Sequence, residues 1–206
     1  MTFLADLEAR LATRLDPFGA PAGLAMGDDH DFGNDGRVFT PAAVLVPLVR
    51  RPEGWTMLLT QRTHTMPTHA GQISFPGGRI QANDADAVAA AIRETVEETG
   101  LGAAYIQPVG GFGPYRTGTG YTIAPVVACI EPGFALAPDP REVAEVFETP
   151  LDFLMNPLNH QRHERDFGEG RVRSFYAMVH GERYIWGATA GMIRGLYERL
   201  YGEAKA

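Results

Sequence analysis

The chain has 206 residues, 45% of them hydrophobic and 21% charged, which suits one globular domain with a proper core and excludes a disordered or fibrous chain. Its 18 basic and 25 acidic side chains give a formal charge of −7, so the global field does not attract nucleic acid. A polyanionic ligand must therefore be held locally, by arginines or through a bound cation.

Leu4, Leu7, Leu11 and Leu15 recur at helical spacing, and Asp16-Pro17 ends that predicted helix. Charges alternate with leucines throughout MTFLADLEARLATRL, unlike the unbroken apolar core of a secretory leader. Residues 17–37 are rich in Gly, Asp and Pro and read as an irregular connection, so 1–37 is expected to be a helix plus extension on a single domain spanning 1–206. The helix leucines are expected to pack on that domain. Strands are predicted at 42–50 and 55–62, joined by a turn at Arg51–Gly54. The looping stretch THTMPTHAGQISFPGG leads into a predicted helix over 84–99. Further strands follow at 105–112, 121–130 and 143–149, and SFYAMVHGERYIW makes a hairpin around His180-Gly181. Met192, Ile193, Leu196, Tyr197, Leu200 and Tyr201 form the apolar stripe of a closing helix. Several strands with three separated helices indicate an α/β or α+β sandwich. Cys129, the only cysteine, sits in a strand-like run as inert packing. It permits no internal disulfide, and a reducing, cytoplasmic setting is expected. No apolar run has membrane-spanning length, so neither membrane nor nucleic acid is expected as a partner.

The helix over 84–99 carries the chemical signal. On a helical wheel Val88, Ala89, Ile92, Val96 and Thr99 share one side, the expected core-facing stripe. Glu94, Glu97 and Glu98 cluster opposite, with Ala87, Ala90 and Ala91 leaving space beside them, and Gly100 ends the helix. Like charges at this spacing cost roughly 0.2–0.5 kcal/mol per pair, and the negative helix end adds roughly 0.3–1 kcal/mol per acid. Arg93 offsets part of this through Glu97, and a deficit remains. A solvated acidic face is the bland explanation of such a cluster. A divalent cation is the functional one, since three carboxylates suit Mg²⁺ or Mn²⁺.

The upstream sequence decides between them. Phe75-Pro76-Gly77-Gly78 forms a tight turn, and GRIQANDADAVAAAIRETVEETGL, from Gly78 to Leu101, resembles the Nudix box, G-x5-E-x7-R-E-U-x-E-E-x-G-U with U aliphatic. Gly78, Arg93, Glu94, Glu97, Glu98, Gly100 and Leu101 match in order. Asp84 replaces the first glutamate with one extra residue before Arg93, and Thr95 fills an aliphatic slot. Both the aspartate and the insertion are similar to the coenzyme A pyrophosphatase subgroup, which carries a second signature, L-L-T-x-R-[ST]-x3-R-x3-G-x3-F-P-G-G. Here LLTQRTHTMPTHAGQISFPGG keeps Leu58, Leu59, Thr60, Arg62, Gly71 and Phe75–Gly78, with Pro67 replacing the second arginine. The closing YIWGATAGMIRGLYERL also resembles that subgroup.

The resemblance implies an α/β/α sandwich with a mixed sheet and a loop–helix–loop catalytic motif. It implies Mg²⁺ or Mn²⁺ held by Glu94, Glu97, Glu98 and the Gly78 carbonyl, with Arg93 orienting Glu97. The implied reaction is hydrolysis of coenzyme A or its thioesters to 3′,5′-ADP and a 4′-phosphopantetheine derivative. An ADP-sugar, dinucleotide or oxidised nucleotide is the alternative substrate, and a non-catalytic binding module the reading from another class. The general base is Glu98 within the box, or Glu142 or Glu145 outside it, where strand-edge ion pairing is the plainer role. Asp84 suits a helix N-cap or first-turn acid. Arg62 and Arg79 are candidates to hold the diphosphate, whereas His64 and His69 lack metal-ligand spacing. Arg162, Arg165, Arg171 and Arg173 are expected in a mixed solvated loop or on a 3′-phosphate. Tyr115, Tyr121 and Phe112 are expected in the core or stacked on adenine. The assembly is expected to be a monomer or homodimer.

Overall fold

The computed structural model describes residues 6–20, 26–27, 38–66, 68–166 and 172–202. Leu4, residues 28–37, Pro67 and Arg171 lie outside the described residues, as do the side chains of Arg165 and Arg173.

In chain order the elements are α1 (Leu7–Arg14), β1 (Met26–Gly27), β2 (Thr40–Arg51), β3 (Gly54–Arg62), β4 (Ile73–Ser74), β5 (Gly77–Arg79) and α2 (Ala87–Thr99). There follow β6 (Ile106–Gly111), β7 (Tyr115–Arg116), β8 (Tyr121–Ile130), β9 (Val143–Pro150), α3 (Leu151–Leu154), β10 (Gln161–Asp166), β11 (Val172–His180), β12 (Arg183–Trp186) and α4 (Ala188–Tyr201). The long strands and the closing helix fall where alternation and helical spacing place them. The two- and three-residue strands are too short to leave a pattern, as is α3.

A mixed nine-stranded sheet runs β1-β7-β8-β2-β3-β4, with β5 added to β2, β6 to β8 and β9 to β3. The β2–β8 pair is parallel and fully buried along its middle, which explains the near-continuous apolar run AAVLV. Strand alternation splits its side chains between two cores. Val44, Val46 and Leu48 face the layer of α1, α3 and α4, while Ala43, Leu45 and Val49 face α2. A second antiparallel sheet, β10-β11-β12, packs against α4. The helix α1 buries Leu7 and Leu11 against α4 and β6, the intramolecular packing expected of its leucines. Cys129 is half-buried in the first core, and burial pushes its thiol pKa up, as suits inert packing.

Two local features aim the site. The β3–β9 register slips between Gln61 and Arg62, which oppose Glu145 and Val143. This bulge sits at the strand end that delivers Arg62 to α2. At Gly77 (φ +155°) a side chain would collide with the Ala43 carbonyl oxygen and Val44 Cα, so only glycine lets β5 lie against β2 there.

Candidate active site

The helix α2 starts later than its sequence suggests. Asp86, not Asp84, is the N-cap, its carboxylate accepting from the Ala89 N–H at 2.8 Å. Asp84 instead accepts two hydrogen bonds from Arg93, from Nε and Nη2, each 2.9 Å. The Arg93 guanidinium, helped by the Gln81 N–H, holds the Asp84 carboxyl down at about 2. Gly100 closes the helix in the left-handed conformation (φ +70°), its N–H bonding the Val96 carbonyl. The carbonyls of Glu98 and Thr99 accept from Asp139 and Ala137, so residues 137–142 dock on the helix end.

The buried face of α2 overlaps the predicted one only in part: Thr99 is buried as expected, and Val88 and Ile92 pack on the core without being fully covered. Ala90, Ala91, Thr95, Glu98 and Thr99 are buried, whereas Val88, Ile92 and Val96 are only partly so. Small residues allow the helix to approach β2 and β5 closely, and that approach is what brings glutamates to the glycine turn. Thr95 in the aliphatic slot satisfies its buried hydroxyl by donating to the Ala91 carbonyl at 2.7 Å.

The three glutamates occupy three environments. Glu97 is the outer one, its side chain 59% exposed, accepting from Arg93 Nη1 at 3.1 Å. Glu94 accepts from the same nitrogen at 2.8 Å and lies against Gly78, where a Cβ would sit 2.5 Å from its carboxyl carbon. Glu98 is the inner one, with a side chain only 8% exposed. It accepts from the Gly77 N–H at 3.1 Å, and Arg62 Nη1 is 4.0 Å away. Burial pushes the Glu98 pKa up to about 7; Gly77 and Arg62 pull it down, while Glu94 and Glu142 push it further up. Gly78 faces Ala43 in register, in step with the Leu45–Pro76 and Ile80–Pro41 bonds, so its backbone turns towards β2. The backbone group directed at the carboxylates is the N–H of Gly77.

Of the other expected site residues, Arg62 reaches the cluster and carries a buried Nε with no hydrogen-bond partner. Arg79 lies at the rim, its guanidinium donating to the Tyr121 hydroxyl at 2.9 Å while its carbonyl accepts from Arg93 at 3.3 Å. Glu142 is exposed but close enough to influence Glu98. Glu145 is engaged elsewhere, accepting from both terminal nitrogens of Arg183 at 2.6 and 2.7 Å, the ion-paired role expected at a strand edge. Tyr115 and Phe112 are core residues, leaving only Tyr121 half-buried at the rim. His64 lies against Gly71, and His69 Nδ1 stands 2.7 Å from Gln72 Oε1. Arg162, Arg165 and Arg173 lie on the paired strands β10 and β11, not in the solvated loop expected of them; Arg162 is exposed, and Arg165 stands opposite Arg173 in the register. Sequence reasoning missed the Arg93–Asp84 pair and the docking of residues 137–142. Asp84 at the box's first acidic position was the one available signal.

Among the described residues no three His, Cys, Asp or Glu side chains converge as a ready metal group. Arg93 holds Glu94 and Glu97, and Gly77 holds Glu98. In kind the donors nevertheless fit a hard divalent cation: all are carboxylate oxygens, one is buried and short of a full counter-charge, and the Gly78 cradle admits a carboxylate where any other residue would block it.

The NUDIX domain model matches residues 39–169, which contain this entire arrangement. The chain belongs to the Nudix hydrolase family. It is 38% identical over 156 residues to a protein of Escherichia coli K12 described as the uncharacterized Nudix hydrolase NudL, covering 75% of this chain and 80% of that one. The NudL of Photorhabdus laumondii is 35% identical over 160 residues, covering 77% and 84%. Among solved structures, DR0079 of Deinococcus radiodurans aligns with a TM-score of 0.49 at 12% identity over 79% of this chain and 83% of its own. RenU, a Nudix hydrolase of Mycobacterium smegmatis, aligns at 0.48 and 23% over 57% and 81%. As a Nudix hydrolase the chain is a pyrophosphatase of small nucleotide substrates, in a family that uses divalent metal ions. Among the described residues no helix is long and apolar enough to cross a membrane.

Proposed function

We propose that the protein hydrolyses the diphosphate of coenzyme A or its thioesters, with water as co-substrate, to 3′,5′-ADP and the 4′-phosphopantetheine derivative. The observation that carries this reading is the meeting of Arg62 with Glu98. The first comes from the LLTQR segment that resembles the coenzyme A signature, the second from the Nudix box.

In this reading Glu94, Glu97 and Glu98 hold Mg²⁺ or Mn²⁺, while the Gly78 carbonyl expected beside them is turned towards Ala43 on β2. The bound cation lowers the pKa of water and neutralises charge on the diphosphate oxygens. Arg93 keeps Glu94 and Glu97 turned to one side, through the Nη1 atom they share. Arg62, with its unpartnered Nε, and Arg79 hold the diphosphate. Glu98, with its pKa raised to about 7, is poised to exchange a proton near neutral pH and is the inner candidate base. Glu142, on the loop docked at the helix end, is the outer one, and the ion pair of Glu145 with Arg183 argues against Glu145.

Pro67 favours the second reading, another nucleoside diphosphate derivative, because proline supplies neither charge nor N–H where the signature has arginine. Metal-dependent turnover of coenzyme A compounds, ADP-ribose, dinucleotides and oxidised nucleotides, read by product mass, separates the two. Release of 3′,5′-ADP and 4′-phosphopantetheine supports the first; an intact coenzyme A pool beside a cleaved nucleotide overturns it. Unchanged turnover in Glu97→Gln would exclude metal-centred catalysis at this helix.

A further inference from the structure

On the opposite face of the sheet from the carboxylates, a groove of about 570 Å³ opens between the Ala70–Ile73 segment and β12. That volume lies within the range of small-molecule sites. One wall is aromatic: Tyr184 and Trp186 stack with ring centres 6.4 Å apart and planes at 25°. The other is amide-rich. Gln61 spends its amide on the Gly71 carbonyl and on Arg183, both at 3.3 Å, whereas the amide nitrogen of Gln72 has no partner among the described residues. The Trp186 indole N–H and the Tyr184 hydroxyl likewise have none. Three neutral donors thus belong to residues that line the concavity.

The charges select against an anion. Arg183 is spent on Glu145 and stacks 3.8 Å over Phe147, so its charge is neutralised within the wall, and Glu182 adds a further acid. A phosphate in the groove would meet two carboxylates and one committed guanidinium.

The groove is nevertheless a near neighbour of the candidate active site. Gln61 and Arg62 are consecutive on β3, with Cα atoms about 3.8 Å apart and side chains on opposite faces. Arg62 points to Glu98 and Gln61 into the groove. The backbone N–H groups of Arg62 and Thr63 donate to the Gln72 and Glu142 carbonyls at 2.9 Å each, so an arm that joins the two faces has to pass beyond Thr63.

We propose that the groove receives the neutral, amide-bearing arm of the substrate, its pantetheine half, and rejects the nucleotide half. The proposal rests on the coenzyme A reading above and adds which half goes where. Amide carbonyls of the arm accept from Trp186, Tyr184 and Gln72, and its methyl groups pack on the aromatic wall. The adenosine half, with its 3′-phosphate, is left on the α2 face.

Steady-state kinetics on coenzyme A and on 3′-phosphoadenosine 5′-diphosphate, which ends where the arm begins, separate the two halves. Trp186→Ala is expected to lower the ratio of kcat/KM for coenzyme A over the shorter substrate about ten-fold, through KM. Trp186→Phe, which keeps a ring but loses the N–H, is expected to lower it about three-fold. An unchanged ratio overturns the proposal, and so does an equal fall on both substrates. If the wild-type protein left coenzyme A uncut, the activity reading fails instead, and pantetheine alone then judges the groove, titrated into protein labelled with 5-fluorotryptophan. Saturable movement of the Trp186 fluorine signal with the Trp55 signal still supports the site, and any other pattern overturns it.

Discussion

The helices α2 and α4 lie on opposite faces of the sheet and obey opposite rules. In α4 the stripe Met192, Ile193, Leu196 and Leu200 is buried, and charges such as Arg194 and Glu198 pair on the outside at 2.7 Å. In α2 the apolar Val88, Ile92 and Val96 are left half-covered while Glu98 is buried. The first arrangement is what burial of apolar area alone produces. The second sacrifices some of that burial to set carboxylates against a glycine turn, and such a sacrifice marks function.

Substitutions on the two helices should therefore fail in different ways. Glu98→Gln is expected to lower turnover by about 10³–10⁴-fold while leaving the metal-free fold no less stable at pH 8, measured by kinetics and thermal melts. Leu196→Ala should do the reverse, destabilising the fold by about 4 kcal/mol in denaturant melts. Divalent-cation affinity, followed by calorimetry, should stay unchanged in that variant.

The pH dependence of the metal-free protein sharpens the contrast. Because the folded-state Glu98 pKa is raised from 4.5 to about 7, the folded state holds the extra proton. That contribution is full below pH 4.5 and is lost as pH rises through 7, a decline on the order of 3 kcal/mol. Melts in chelator from pH 4.5 to 8 should show it, and Mg²⁺ or Mn²⁺ should reverse it most at the alkaline end. The smallest effect is expected from Arg62→Gln. Losing the cation that favours the charged form should move the Glu98 titration upward, followed by carboxyl carbon NMR on the metal-free protein.

The same contrast explains what was legible in the sequence. In α4 the wheel placed the large buried residues Met192, Ile193, Leu196 and Leu200 correctly because apolar area orients them, while the small buried Thr189, Ala190, Gly191 and Gly195 escaped it and Tyr197 and Tyr201 are only partly covered. On α2 the wheel was right only for Thr99 and in part for Val88 and Ile92, because it ranks residues by hydrophobicity, whereas this helix also fits Ala90 and Ala91 closely and turns Glu98 to the Gly77 N–H. The box glutamates and their arginine were legible as a motif. Asp84 was assigned a capping role that Asp86 takes, since the pairing of Asp84 with Arg93 depends on a turn whose path no local pattern fixes. The groove on the other face was invisible for the same reason, its walls coming from β3, the segment before β4, and β12.

A crystal soaked in Mn²⁺ and measured at the manganese edge tests the central claim most directly. The account predicts an anomalous peak about 2.2 Å from carboxylate oxygens of Glu94 and Glu98, with Glu97 swung inward from Arg93. Density that leaves those three side chains as they stand, with no anomalous signal between α2 and the Gly77–Gly78 turn, would contradict it.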